Sequence, residues 1–264
     1  MTDDLLDLQV RLRDERTPHA LATVIGTEGS ASAKVGAKAI IDADGRLIAG
    51  WVGGGCAESS TCRAALESMS SGEPQVLEID LTDELLGAGM PCGGTMRIYV
   101  EPALPRPVLW ILGHGRVAEC LCVMGDMLGL DVVIDDPGAR REDYPAARRL
   151  LTDDLDYSAL KPRAEDFVVV ATQHKGDHQS IARALETDVG YIALIASRKR
   201  ATIVFDQLRE LGVAEGSLQR VRSPAGLNLG GKSPEEIALS LMAEIVAVRR
   251  GADAAPLAEP AGRA

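Results

Sequence analysis

Cys56 lies in the run Gly50-Trp51-Val52-Gly53-Gly54-Gly55-Cys56-Ala57-Glu58. Three successive glycines after a β-type segment point to a backbone that turns sharply or approaches a ligand, and away from core packing. Cys56 then stands near the start of a helical stretch. The positive end of a helix favours the thiolate, which is the nucleophilic and metal-binding form of cysteine. A second thiol stands in Met90-Pro91-Cys92-Gly93-Gly94. Two thiols, each in a glycine-rich loop, predict one site that holds a soft ligand or handles sulfur.

The second half carries a different chemistry. Leu112-Gly113-His114-Gly115-Arg116-Val117-Ala118 follows an apolar strand and opens a helix. This is the G-x-G-x-x-A form of the dinucleotide fingerprint, in which Gly113 permits the tight turn, Gly115 admits a pyrophosphate and Ala118 allows close helix packing. Asp135 and Asp136 end the next strand, where a ribose-binding carboxylate is expected. Ser197-Arg198-Lys199-Arg200 follows a later strand at the edge where open α/β sheets bind ligands. Its cations predict a phosphate clamp, the alternative being a solvated helix start. His174 and His178 fall in a loop that could face the same edge.

These residues need elements to position them. Leu5, Leu8 and Leu12 predict an amphipathic helix over 3–15. Strands are expected over 20–25, 38–41, 46–52, 76–81 and 96–100, with Asp44-Gly45 as a hairpin turn and a helix over 58–69. Three prolines in Pro102-Ala103-Leu104-Pro105-Arg106-Pro107 predict a linker over 102–107. Beyond it, strands over 108–112, 131–134, 167–171 and 191–196 alternate with helices over 116–128, 177–185, 201–211 and 234–249, which implies a parallel sheet. The expected fold is α/β: an N-terminal mixed α/β domain over 1–101, then a Rossmann-like parallel-sheet domain over 108–250. Residues 251–264 read as a disordered tail. Ser233-Pro234-Glu235-Glu236 reads as a structural helix cap.

Composition excludes several classes. The 264 residues carry a formal charge of −11, and aromatics make up 3%. Neither suits nucleic acid or an anionic membrane surface. No long apolar run predicts a membrane span, and the acidic Met1-Thr2-Asp3-Asp4 start predicts no signal peptide. Five cysteines without a Cys-x-x-Cys pair predict free thiols in the cytoplasm. Cys62, Cys120 and Cys122 fit buried structural roles.

Several of these motifs occur together in one family. Gly29-Ser30, Gly36-Ala37-Lys38, Gly53-Gly54-Gly55-Cys56-Ala57-Glu58, Cys92-Gly93-Gly94 and Val100-Glu101-Pro102 resemble the XdhC/CoxI family. So do the Gly113–Ala118 turn, Ser197-Arg198-Lys199-Arg200, and Ser223-Pro224-Ala225-Gly226-Leu227 leading to Pro234-Glu235-Glu236-Ile237-Ala238. The resemblance spans residues 5–250. The sequence departs from the xanthine-dehydrogenase branch, which has Pro-Arg at Ser32-Ala33 and histidine at Arg116. Gly50-Trp51-Val52 and Ala31-Ser32-Ala33-Lys34 look closer to the Cox-type branch.

The resemblance implies an accessory factor for molybdenum hydroxylases of the xanthine dehydrogenase or carbon monoxide dehydrogenase type. Such a factor binds the molybdenum–pyranopterin cofactor, in its plain or cytosine dinucleotide form, supports its sulfuration by a cysteine desulfurase, and delivers it to the apoenzyme. It further implies a homodimer acting as a chaperone more than as a turnover enzyme. On this reading Cys56 touches the metal or carries a persulfide, and Cys92 assists. Gly53, Gly54, Gly55 and Glu58 surround the cofactor. Gly113, Gly115, Arg116, Asp135, Ser197, Arg198, Lys199 and Arg200 hold its anionic tail or a separate nucleotide such as NAD(P). Two alternatives stay open: an NAD(P)-dependent oxidoreductase built on the Rossmann half, and a redox sensor using Cys56 and Cys92.

Overall fold

The computed structural model describes residues 2–80, 94–172 and 176–257, with the side chains of 2 and 3 left out. The chain divides into two compact units, Met1–Pro105 and Arg106–Ala264.

The first unit begins with helix α1 (Thr2–Asp14). Its sheet contains β1 (His19–Gly29), β2 (Lys38–Asp42), β3 (Leu47–Gly50), β4 (Gln75–Asp80) and β5 (Gly94–Ala103), in the antiparallel order β3-β2-β1-β5-β4. Ala20, Ala22 and Val24 alternate inward along β1 and meet the buried face of α2 (Cys56–Ser71). That face consists of Ala57, Thr61, Ala64, Ala65 and Ser68. Small side chains at helical spacing let α2 lie close on the sheet. Gly72 ends α2 in the left-handed conformation, its N–H bonded to Ser68 O at 2.9 Å.

The proline run behaves differently from the expected linker. Pro102 and Ala103 complete β5, paired with Ala20 and His19 at the start of β1. Pro102 lies near the strand's end, where a missing N–H disturbs the ladder least.

The second unit is a six-stranded sheet of β6 (Val108–Gly113), β7 (Asp131–Asp135), β8 (Arg149–Leu151), β9 (Phe167–Ala171), β10 (Tyr191–Leu194) and β11 (Val221–Arg222). All pairs are parallel, in the order β11-β10-β9-β6-β7-β8. Read from β8, this is the dinucleotide-binding order 3-2-1-4-5-6, with its switch point between β6 and β9. The architecture is therefore the expected mixed α/β unit followed by a Rossmann-like parallel sheet.

Strands β6, β9 and β10 are buried along their whole length, as a parallel sheet covered on both faces requires. One face packs on α3 (Arg116–Met127) and α7 (Pro234–Arg250). The other packs on α4 (Asp177–Leu185) and α5 (Arg198–Glu210). A short α6 (Glu215–Leu218) precedes β11. Tyr191 Oη donates to Glu244 at 2.7 Å and so ties the sheet to α7. The capping box is formed as read: Ser233 accepts the Glu236 N–H while Glu236 accepts the Ser233 N–H.

Candidate functional site

The glycine run of the first unit is explained position by position. At Gly50 (φ +86°) a Cβ would sit 2.1 Å from Lys38 O, so only glycine lets the chain leave β3 against β2. At Gly53 (φ +110°) a Cβ would meet Ser32 Oγ at 2.8 Å and Ala57 at 3.1 Å. At Gly54 it would press on the Trp51 ring at 3.1 Å. Gly53 and Gly54 therefore do serve close packing, against expectation. Gly55 differs: it is exposed, has φ +59°, and a Cβ there would meet nothing within 4 Å. It is the N-cap of α2, with no side-chain cap.

Cys56 is the first residue of α2 and is partly exposed. Glu58 follows in the first turn. Burial and then the Glu58 charge push the Cys62 thiol above its ordinary range. Trp51 is an exposed aromatic beside this run that sequence reasoning does not single out. It is 47% exposed, with its benzo edge over the Gly54 backbone. An aromatic left open to solvent in a chain this poor in aromatics is the signal that could have marked it. Cys92 lies outside the described residues. So does His174.

In the second unit, Gly113 sits at the switch point. Its φ is +129°, and a Cβ would fall 2.2 Å from Ala171 O and 2.8 Å from Thr172 N. Backbone contact between β6 and β9 thus demands glycine there. Gly115 caps α3 and donates its N–H to Tyr144 Oη at 2.8 Å. That amide, assigned to a ligand from sequence, is held by a side chain. Arg116 is also engaged, donating to Glu235 at 2.9 Å and Glu119 at 3.1 Å. His114 Nδ1 lies 2.8 Å from Asp136 Oδ1, and Asp136 also accepts the Gly138 N–H at 2.7 Å.

Asp135 and Asp136 have separated roles. Asp136 faces the glycine turn through His114. Asp135, expected to bind ribose, is 1% exposed, and neither of its oxygens meets a donor. Period-two alternation explains the split, since neighbours on a strand point to opposite faces.

The cationic run divides too. Ser197 is the N-cap of α5, its hydroxyl accepting the Arg200 N–H at 3.3 Å. Capping starts the helix at Arg198, three residues before the expected Ala201. Arg200 donates to Asp177 at 3.0 Å, and the Asp177 carboxylate also accepts from Thr172 Oγ1. Asp177 is buried, so this ion pair and hydroxyl fix α4 and α5 to the end of β9. Arg200 is thereby turned inward, and Arg198 and Lys199 are the exposed cations of the run.

Of the other described thiols, Cys122 is buried, while Cys62 and Cys120, expected to be buried, are partly exposed. Burial pushes Cys122 up to about 11 and raises Cys120 as well. Among the described residues, no three His, Cys, Asp or Glu side chains gather as a metal site, and no helix is long and apolar enough to cross a membrane.

Comparison with known proteins places both units. A model of the XdhC and CoxI family matches residues 12–80, and a model of the XdhC Rossmann domain matches residues 109–245. Uncharacterized protein YqeB of Escherichia coli (strain K12) is 29% identical over 257 residues, covering 95% of this chain and 47% of that protein. Molybdenum cofactor insertion chaperone PaoD of the same organism is 22% identical, covering 87% of this chain and 83% of PaoD. A probable xanthine dehydrogenase subunit of Bacillus subtilis (strain 168) is 28% identical over 162 residues, covering 59% of this chain and 47% of that protein. The chain thus spans about half the length of two of these relatives.

Proposed function

The chain belongs to the XdhC and CoxI family, and from that premise we propose that it is an accessory factor that binds the molybdenum–pyranopterin cofactor and inserts it into a molybdenum hydroxylase. The observation that carries this reading is the extent of the similarity to PaoD, which runs through both units and covers most of each protein. Sulfuration of the cargo with a cysteine desulfurase as sulfur donor, action as a homodimer, and a cytoplasmic setting belong to the same proposal. So does the division into a domain before the proline run and a Rossmann domain after it.

The residues of the first unit fit such a cargo. Cys56 offers a soft sulfur at a helix start, beside the open space over Gly55. A single protein thiol suits a metal that arrives already held by dithiolene sulfurs. Trp51, in the loop that leads to Cys56, offers a fixed planar face for the pterin. Cys92 is the proposed assisting thiol, with Gly53, Gly54 and Glu58 shaping the surround.

The second unit carries an anion-binding edge of its own, suited to a phosphate or to a nucleotide such as NAD(P) or a cytosine dinucleotide. The first turn of α3 directs backbone N–H groups outward after Gly113 and Gly115, and Arg198 and Lys199 are exposed at the same sheet edge. Arg116, Ser197 and Arg200 shape that edge through their partners. The dinucleotide strand order also favours a second reading, an NAD(P)-dependent oxidoreductase.

One experiment separates the two. The full chain is loaded with cofactor without air, desalted, and analysed for molybdenum, pterin and nucleotide. Cys56→Ala should lose most of the molybdenum and client activation, while Cys62→Ala keeps both. Equal retention and activation by Cys56→Ala would remove the thiol from the mechanism. Bound NAD(P) with hydride transfer, and no pterin, would replace the chaperone by the oxidoreductase.

A further inference from the structure

Asp135 ends β7 on the sheet face of Val133, toward the core under α4 and α5. Its carboxyl is buried without a hydrogen-bond donor on either oxygen. A buried carboxylate left so would be costly. The group within hydrogen-bond reach of it is another carboxyl, that of Asp154. Asp154 is itself well supplied with donors: Oδ1 accepts the Ser158 N–H and hydroxyl, both at 2.8 Å, and Oδ2 accepts the Ala159 N–H at 2.8 Å, which leaves Oδ2 one lone pair for a further donor. One member of the pair is thus built to stay ionised. The other is placed so that only a proton can satisfy it.

We propose that Asp135 and Asp154 hold one proton between them, resident on Asp135 and donated to Asp154, so that a proton latches segment 152–160 to the ligand-facing end of β7. The surrounding charges agree. Asp136 follows in the chain, and Arg149 on β8 is the opposing cation. Tyr157 brings its hydroxyl to Ser180 of α4, with Asp177 nearby and paired to Arg200. Arg183 of α4 also holds the segment, donating to Tyr157 O at 3.2 Å. Burial first, then Asp154, moves the Asp135 carboxyl up to about 7. Burial acts on Asp154 too, but Ser158 and Ala159 hold it below the usual carboxylate range.

Raising the pH through neutrality removes the shared proton and leaves two carboxylates in contact. The latch then opens at the edge where the sheet receives its ligand. The sign follows from linkage. Unfolded aspartate ionises near 3.9, while folded Asp135 keeps its proton to about 7. The folded state binds more protons in that window, so stability falls as pH rises through it and levels off above.

The test is a titration of the full chain labelled with 13C at aspartate carboxyls. One signal, absent from Asp135→Asn, should titrate near pH 7. In Asp154→Asn its midpoint should fall, because the new amide donates to Asp135. Urea unfolding should show the stability of Asp135→Asn, which keeps a donor, rising relative to the parent from pH 5 to pH 8. A midpoint below pH 5, or one indifferent to Asp154→Asn, overturns the proposal. So does an Asp135→Asn variant that gains nothing on the parent from pH 5 to pH 8.

Discussion

The hydroxyl of Tyr144 accepts the backbone N–H of Gly115 at 2.8 Å. Tyr144 is 1% exposed and packs in the core beneath α3 and α7. Its bond therefore ties the second glycine of the fingerprint to the hydrophobic interior. The phenol stays protonated in use, since burial pushes it up to about 12. Tyr144→Phe removes the acceptor and leaves a partly buried N–H unpaired. A loss of about 1–3 kcal/mol is expected for the second unit, with faster amide exchange at Gly115. Denaturant unfolding and hydrogen exchange read both. Unchanged exchange at Gly115 would show that the phenol does not hold the turn.

Gly113 and Gly129 make a matched pair for backbone effects. Both have positive φ, +129° and +73°. A Cβ at Gly113 collides with Ala171 O, whereas one at Gly129 meets nothing within 4 Å. Gly129→Ala should cost only conformational strain, about 1 kcal/mol. Gly113→Ala must also push β6 and β9 apart at the switch point, and a loss above about 3 kcal/mol is expected. Thermal unfolding of the two variants decides it. Equal losses would mean that the β6–β9 contact relaxes freely.

The thiols should separate by access. Cys56 is partly exposed at the start of α2. Cys122 is buried, and its burial raises it to about 11. A thiol so raised is less than about one part in a thousand thiolate at pH 8. Timed alkylation of the native chain at pH 8, read by peptide mass, should modify Cys56 well before Cys122. Modification of both at one rate would contradict the burial of α3.

Much of this is legible in the sequence, for identifiable reasons. Long apolar strands and the fingerprint announce the parallel sheet, and α4 reads at its observed bounds. Strand β8, helix α6 and strand β11 escape sequence reading because three, four and two residues are too few to show a period. Pro102 hides the end of β5, because a proline signals a break more strongly than an edge position signals a strand. At the candidate residues of each unit, residue type and loop position are visible, as at Cys56 and Gly113. Partners are not. That Tyr144 takes the Gly115 amide, or that Asp177 turns Arg200 inward, depends on contacts between residues 29 and 23 apart. Chemistry-bearing residues can be read from a chain, but whether another side chain already satisfies them cannot.

Trp51 gives the proposed pterin contact a direct optical readout. The chain has two tryptophans, and the other, Trp110, is 4% exposed in the core of the second unit. Emission from the two should differ, with Trp51 the solvent-exposed, red-shifted component. A free pterin stacking on the open face of Trp51 should shorten that component's lifetime and leave the Trp110 component alone. Trp51→Phe removes the signal, and Trp51→Ala should weaken pterin binding by about 1–3 kcal/mol, the range found for planar bases on aromatic side chains. Folding is not at stake, because the ring rests on Gly54 at the surface and fills no core space. Should the pterin quench Trp51→Phe as strongly as the parent, or bind Trp51→Ala equally well, the indole is no part of the site and the pterin must be held elsewhere.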